Sequence, residues 1–324
     1  MDWTKANDLV AGARSILVLT HVGPDGDAIG SMLGLAHALE GAGKSVITAV
    51  DGGVPGDLVF IPGSASVHTT LDGLAVDLVI AVDCGDESRM GEVGRVALHS
   101  GAPLINLDHH LTNTMFGAAN LVDLATVAAA EGVLDWLDHM GIGLDTISAF
   151  CLLTGLVTDT LCFRTDNVSS DTLGKAQRLM AYGASLAEIV QRTVGRKSYA
   201  ALRLWSLVLP TVRLEERVIW AIITQDMFKQ VGYTGWDDAG LVSTLAQTEE
   251  AYISAVFKEK PDGGIEIGFR AVPGFDTANV AVELGGGGHK LASGATVHEP
   301  LDTLVPRVIE MLKAEVWRGK PLVE

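Results

Sequence analysis

Pro103-Leu-Ile-Asn-Leu-Asp108-His109-His110 is an apolar run that ends on an acid and two histidines. Its length and composition predict a buried strand over 103–107, with the triplet at the strand's carboxyl end. The same arrangement recurs on either side. Residues 15–20 form an apolar run ending at His21, followed by the turn Pro24-Asp-Gly-Asp27 and a helical pattern over 28–39. Residues 77–82 form another run, ending at Asp83. Residues 147–157 read as a buried helix or strand that leads into Thr158-Asp159. A further strand over 45–50 and a helix over 127–139, stopped by Gly141 and Gly143, complete the alternation. Strands alternating with helices predict an α/β fold: a mainly parallel sheet with helices on both faces. Ligands of such sheets lie beyond the carboxyl ends of the strands. The acidic clusters all fall at ends of this kind, and so they are expected to converge.

Helical patterns cover 171–182 and 185–194, and 196–208 reads as a linker helix. Strands with polar turns follow at 217–224, 251–259 and 265–272, then a helix over 279–284. The expected organisation is a metal-binding domain over 1–188, a helical linker over 189–212 and a smaller α+β domain over 213–324. At 324 residues, with 48% hydrophobic side chains, the chain can bury two cores. Its 40 acidic and 23 basic residues leave a net charge of −17, which argues against a track for long nucleic acid. A small phosphate substrate stays compatible, because bound divalent cations invert a site's field. The 3 cysteines have no C-x-x-C spacing, which suits a reducing cytoplasm. No long apolar run suggests a membrane partner.

His21, Asp25, Asp27, Asp83, His109 and Asp159 offer imidazole and carboxylate donors suited to hard or borderline divalent metals. That donor set points to a metal-assisted phosphoester hydrolase. Blander roles exist for single members. Asp27 precedes a helix and suits an N-cap, and Asp83 alone suits a tight turn at Gly85. Adjacent side chains in extended backbone point opposite ways, so His109 and His110 are expected to face different directions. Arg164 could meet a phosphate or order its loop. In the second half, Gly285–Gly288 is followed by His289 and Lys290. Gly286, Gly287 and Gly288 let backbone N–H groups approach an anion as a nest, and the basic pair supports that reading. Arg270, at a strand end, suits a bidentate phosphate clamp.

The chain resembles the DHH phosphoesterase superfamily, in the branch with a DHH-associated C-terminal domain and of the nano-RNase and pAp-phosphatase type. The resemblance rests on His21-Val-Gly-Pro-Asp25-Gly-Asp27-Ala-Ile-Gly30, Val82-Asp83-Cys-Gly-Asp86, Leu107-Asp108-His109-His110, Thr158-Asp159-Thr160 with Phe163-Arg164, and Gly285 to His289 with Ala292-Ser-Gly294. It implies that His21, Asp25 and Asp83 hold one metal, and Asp27, Asp83, His109 and Asp159 a second. It implies that His110 lies beside the scissile phosphate, that Asp108 orients the histidines, and that Arg270, His289 and the glycines hold substrate across a cleft between two domains. The implied metal is Mn²⁺, with Mg²⁺ or Co²⁺ as alternatives, and a homodimer is a further implication. Many relatives carry Gly where this chain has Leu161, and Ser or Thr where it has Cys84.

The implied activity is two-metal hydrolysis of short RNA to 5′-mononucleotides, with 3′-phosphoadenosine 5′-phosphate (pAp) as a second substrate. Alternatives are a phosphodiesterase for cyclic or linear dinucleotides, a manganese inorganic pyrophosphatase, and a non-catalytic nucleotide sensor. The Gly285 to His289 segment argues against the pyrophosphatase, and the full ligand set against the sensor.

Overall fold

A strand buried on both faces is apolar along nearly all its length, and residues 78–82, Leu-Val-Ile-Ala-Val, follow that rule throughout. The computed structural model describes residues 1–71, 75–194 and 196–321. The chain divides into two units, Met1–Arg196 and Lys197–Glu324. The first unit runs α1 (Trp3–Gly12), β1 (Ser15–Leu19), α2 (Gly26–Gly41), β2 (Ser45–Ala49), β3 (Leu78–Val82), α3 (Gly91–His99), β4 (Leu104–Asp108), β5 (Ala119–Val122), α4 (Ala129–Met140), α5 (Thr146–Asp159), α6 (Ser170–Ala181) and α7 (Leu186–Arg192). Its five strands form a parallel sheet in the order β2-β1-β3-β4-β5.

Alternation along each strand divides the core. Ile16, Val18, Leu78, Ile80 and Val82 join the cluster under α2, α4 and α5, while Leu17, Leu19, Val79 and Ala81 join the cluster of Met90, Val93 and Ala97 by α3. Each fully buried Leu or Ile contributes about 1.5–3 kcal/mol. The strand order reverses direction between β1 and β3, which places a topological switch point between their carboxyl ends.

The fourth acidic cluster differs from the expectation. Asp159 ends a helix, α5, and not a strand. Asp145 caps that helix through the N–H and Oγ of Ser148, both at 2.7 Å. The apolar run follows from burial on all sides, which hides the helical period.

The second unit runs α8 (Tyr199–Val208), β6 (Arg213–Glu215), β7 (Val218–Ile223), α9 (Gln225–Val231), α10 (Leu241–Leu245), β8 (Ile253–Glu259), β9 (Ile265–Ala271), α11 (Ala278–Glu283), β10 (Gly287–His289), β11 (Ala292–Val297) and α12 (Leu301–Arg318). Its sheet has the order β10-β11-β9-β8-β7-β6 and is antiparallel except between β7 and β8. Helix α8 is packed into this unit, with Leu204 and Val208 buried beside Ile219 and Phe228. One sheet face, including Ile265, Ile267 and Phe269, packs on α11 and α12. The other is covered over β7 and β8 by α8, α9 and α10.

Candidate metal centre

The turn after β1 brings two acids to the start of α2. Asp25 is the N-cap: its Oδ1 accepts from the N–H groups of Asp27 and Ala28, both at 3.0 Å. The capping role expected for Asp27 therefore belongs to Asp25. Asp27, only 1% exposed, instead caps a different helix. Its Oδ2 accepts from Ala129 N at 2.6 Å and its Oδ1 from Ala130 N at 3.0 Å, at the N-terminus of α4, and Ser31 Oγ adds a bond at 3.1 Å. Close packing of α2 on α5 makes this possible. A Cβ on Gly155 would lie 2.5 Å from Asp27 Oδ1 and 2.8 Å from Ala130 Cβ, and one on Gly30 would lie 2.5 Å from Cys151 O. Glycine at these crossings lets Asp159, one turn beyond Gly155, share a site with Asp27.

Asp83 follows the last residue of β3 with φ of +57°, a left-handed conformation that Asp tolerates better than most residues. The kink keeps the Asp83 N–H on Leu107 O at 2.9 Å. Its carboxylate then lies between two histidines: Oδ2 is 3.5 Å from His21 Nε2, and Oδ1 is 3.6 Å from His109 Nε2. His21 Nδ1 donates to Val22 O at 3.0 Å, a carbonyl that can only accept, which leaves Nε2 as the ring nitrogen that faces Asp83. Arg89 Nη2, 3.1 Å from Nδ1, is then a close contact between two donors.

β4 ends on Asp108, which holds His110 Nδ1 at 2.7 Å. His109 and His110 do not diverge as extended backbone would require, because β4 has already ended. Their ring centroids are 4.5 Å apart, and His110 Nδ1 is also 3.6 Å from Asp83 Oδ1. The sequence reading missed the support beneath them. Asn113 Nδ2 reaches Asp108 Oδ2 at 2.6 Å, Asn106 Oδ1 at 2.8 Å and Cys84 O at 3.2 Å, while Asn106 Nδ2 donates to Cys84 O at 2.9 Å. This network ties the Asp108 loop to the backbone turn after Asp83. The available signal was Asn106 itself, a polar residue inside an apolar strand on the same face as Asp108.

Three donor groups result, each with ligand atoms within 4.8 Å of one another: His21–Asp25–Asp83, Asp27–His109–Asp159, and Asp83–Asp108–His109–His110. His109 Nε2 lies 3.7 Å from Asp159 and 4.0 Å from Asp27. Burial opposes charge on His109, yet Asp83, Asp27 and Asp159 outweigh it and push the ring up to about 10. Burial also opposes ionisation of Asp83, but contacts with His109 and His21 bring it down to about 2. Burial, with repulsion from Asp83 and Asp25, raises Asp159 to about 6. Burial and repulsion from Asp83 and Asp159 likewise raise Asp27, against the two amides that favour its charged form. The cluster thus carries an excess of negative charge that draws protons inward. Asp83 Oδ1 is buried and, among the described residues, accepts no hydrogen bond. An orphaned carboxylate oxygen amid mixed imidazole and carboxylate donors fits divalent cations.

Other expected residues are placed differently. Arg164 is exposed and donates from Nε to Leu161 O at 2.7 Å, ordering its own loop. That loop holds Leu161, Cys162 and Phe163 at φ of +49°, +63° and +61°, so the backbone turns left-handed without glycine. In the second unit, Arg270 and Gly286 line a cavity of about 570 Å³, whereas Gly287, Gly288 and His289 are not in its lining. The glycines do not form a free anion nest. The N–H groups of Gly285 and Gly286 bond to Val282 O at 3.0 Å and Ala281 O at 2.7 Å, ending α11, and residues 287–289 pair with β11. A Cβ on Gly288 would lie 2.6 Å from Ser293 Cα, so glycine there serves close strand packing.

Comparison with known proteins follows the same division. Residues 15–156 match the DHH family, N-terminal domain, and residues 221–318 match the DHHA1 domain. The chain is 34% identical over 317 residues to the bifunctional oligoribonuclease and PAP phosphatase NrnA of Thermus thermophilus, covering 97% of this chain and 94% of that one. It is similar to a solved exopolyphosphatase-related protein from Bacteroides fragilis, with a TM-score of 0.88 and 25% identity over 97% of this chain and 95% of that one. RecJ from Thermus thermophilus, solved in complex with Mn²⁺, shares the fold at a TM-score of 0.57 and 16% identity, over 99% of this chain and 55% of that one. With a DHH domain built around Asp108-His109-His110 and a DHHA1 domain after it, the chain belongs to the DHH family.

Proposed function

We propose that this protein is a metal-dependent phosphoester hydrolase that releases 5′-mononucleotides from short RNA and also dephosphorylates pAp. One observation carries the reading: Asp83 stands between His21 and Asp25 on one side and His109, Asp27 and Asp159 on the other. In that arrangement the Asp83 carboxylate would be within reach of cations held on either side of it. The 34% identical relative is itself named an oligoribonuclease and PAP phosphatase. Imidazole mixed with carboxylate favours Mn²⁺ over Mg²⁺. When bound, the cations supply Lewis acidity and a hydroxide nucleophile near neutral pH.

The chain's own residues do the rest. Asp108 holds Nδ1 of His110, so the ring's Nε2 is the atom left to meet a phosphoryl oxygen. The His110 side chain is 43% exposed, which leaves room for substrate. Asp108 raises the His110 pKa above its ordinary value, despite burial, so the ring holds a proton to donate. Asp27 is fixed by α4 and Asp25 by its own helix start, so both carboxylates are oriented before any ligand arrives. In the second unit Arg270 supplies a cation for a further phosphate.

The test is one Mn²⁺-loaded sample assayed on RNA of two to five nucleotides, pAp, cyclic di-AMP and pyrophosphate. Release of 5′-mononucleotides from RNA, with slower loss of phosphate from pAp, supports the reading. Turnover confined to cyclic di-AMP or pyrophosphate replaces it with one of the alternatives.

A further inference from the structure

Helix α4 orients Asp27 but has no cap of its own. Ala128 stands at its N-cap and offers no side-chain acceptor. Three amides at this helix start are held by two carboxylates. Those of Ala129 and Ala130 donate to Asp27, at 2.6 and 3.0 Å, and that of Val127 donates to Glu131 Oε2, at 2.8 Å. Glu131 sits in the first turn of α4 and is 3% exposed. A buried carboxylate is costly unless it is paired and hydrogen-bonded. Its Oε1 meets both conditions on α6, where Lys175 Nζ donates at 3.1 Å and Thr172 Oγ1 at 3.3 Å. Lys175 also reaches Asp135 at 2.8 Å and Asp171 at 3.0 Å. Thr172 is itself locked, because it forms the capping box of α6 with Ser169.

This tie joins the supports of two carboxylates that share one donor group. Asp27 is held by α4. Asp159 ends α5, and residues 160–169 carry the chain from it into α6. That link is bonded back on itself, with Cys162 N on Val157 O at 2.7 Å and Arg164 N on Thr160 O at 2.8 Å. The group His21–Asp25–Asp83 is built otherwise: Asp25 caps α2, and the other two follow β1 and β3. A simple brace between α4 and α6 does not require buried charge. Arg178 and Asp138 already pair across the same helices nearer the surface.

We infer that Glu131 is a positioning residue for the cation proposed at Asp27, His109 and Asp159. It fastens the helix start that aims Asp27 to the helix that follows Asp159. The inference rests on the proposed metal centre, and its signature is affinity at one of two sites, apart from turnover.

The test titrates metal-stripped, full-length protein with Mn²⁺, following the free ion by electron paramagnetic resonance, with cleavage of a pentaribonucleotide measured in parallel. Two double variants remove the buried pair without stranding a charge. Glu131→Leu with Lys175→Met leaves Val127 without its acceptor. It is expected to weaken one ion about tenfold or more, as loss of a ligand's outer support does, and to leave the other within about twofold. Glu131→Gln with Lys175→Met keeps an acceptor and is expected to hold both ions within about threefold of wild type. Glu131→Asp keeps the charge pair, and with it the fold, but is one methylene too short to span from Val127 to Lys175; it is expected to weaken the same ion. In a His109→Ala background, which already lacks that site, the first double variant is expected to alter the remaining ion by less than about twofold. Asp138→Asn, which breaks the exposed brace, is the control and is expected to change neither ion. Equal weakening of both ions, unaltered binding in the first double variant or in Glu131→Asp, or a loss as large in the second double variant as in the first overturns the inference. Wild type that holds two ions yet cleaves no short RNA overturns the proposed activity and leaves the inference standing.

Discussion

At the scale of single residues, Asp108, His109 and His110 divide one task. His109 turns its Nε2 toward Asp27, Asp83 and Asp159, while Asp108 holds Nδ1 of His110. Replacing His110 with Ala removes a donor to the phosphoryl group and leaves the proposed ligands untouched. The turnover number for short RNA is expected to fall about 10²- to 10³-fold. Bound metal, measured by elemental analysis after gel filtration, is expected to stay at the wild-type level. Equal loss of metal and activity contradicts the division of roles. Leu161 carries a separate consequence. Its φ of +49° suits glycine, and a β-branched side chain fits worst there. Leu161→Val is expected to lower unfolding stability by about 1–2 kcal/mol, while Leu161→Gly relieves the conformation. Denaturant melts that rank Val at or above Leu sink this account of the loop.

At the scale of elements, the centre depends on how closely α2 approaches α5. Gly155→Ala drives a methyl against Asp27 Oδ1 and Ala130. The expected cost is about 1–3 kcal/mol of stability, from overpacking, together with weaker Mn²⁺ binding in titration. Gly174→Ala, within α6 and with open space around it, is the control and is expected to stabilise by about 0.5–1 kcal/mol. Equal behaviour of the two variants refutes a special role for the crossing. The same elements show what was legible in the chain. β1, β3 and β4 are readable because strands buried on both faces are almost wholly apolar and end abruptly on polar residues. α5 was ambiguous because its burial on all sides erases the period, and so Asp159 was expected at a strand end. The Asn106–Asn113 network and the capping of α4 by Asp27 are long-range bonds, which no local pattern encodes. The glycine run suits an anion nest by composition, yet the amides of Gly285 and Gly286 end α11. Local sequence shows that glycine permits a conformation, not which partner its N–H will find. Helix α12 contains Pro306, which breaks the local helical pattern from within.

At the scale of the whole molecule, a chain of net charge −17 would need bound divalent cations to invert its field locally for an anionic substrate. Among the described residues, no helix is long and apolar enough to cross a membrane. The first unit concentrates Asp25, Asp27, Asp83, Asp108 and Asp159 around three histidines, and the second offers Arg270 in a cavity of about 570 Å³. Cations that bind only the folded cluster are expected to raise its melting temperature. At a hundredfold excess over the dissociation constant the gain is about 2.7 kcal/mol, and chelation removes it. A melting curve indifferent to both Mn²⁺ and chelator contradicts that linkage. The central claim is that Asp83 joins two cations into one hydrolytic centre. Its most direct test is a time course of a pentaribonucleotide with Mn²⁺-loaded wild type and Asp83→Asn, with bound metal measured in the same samples. Asn keeps the shape and tolerates the left-handed backbone, so the fold is expected to persist. Wild type is expected to hold two ions per chain and to release 5′-mononucleotides, and the variant to lose both metal and cleavage. An intact pentaribonucleotide with metal-loaded wild type, or cleavage retained by Asp83→Asn, contradicts it.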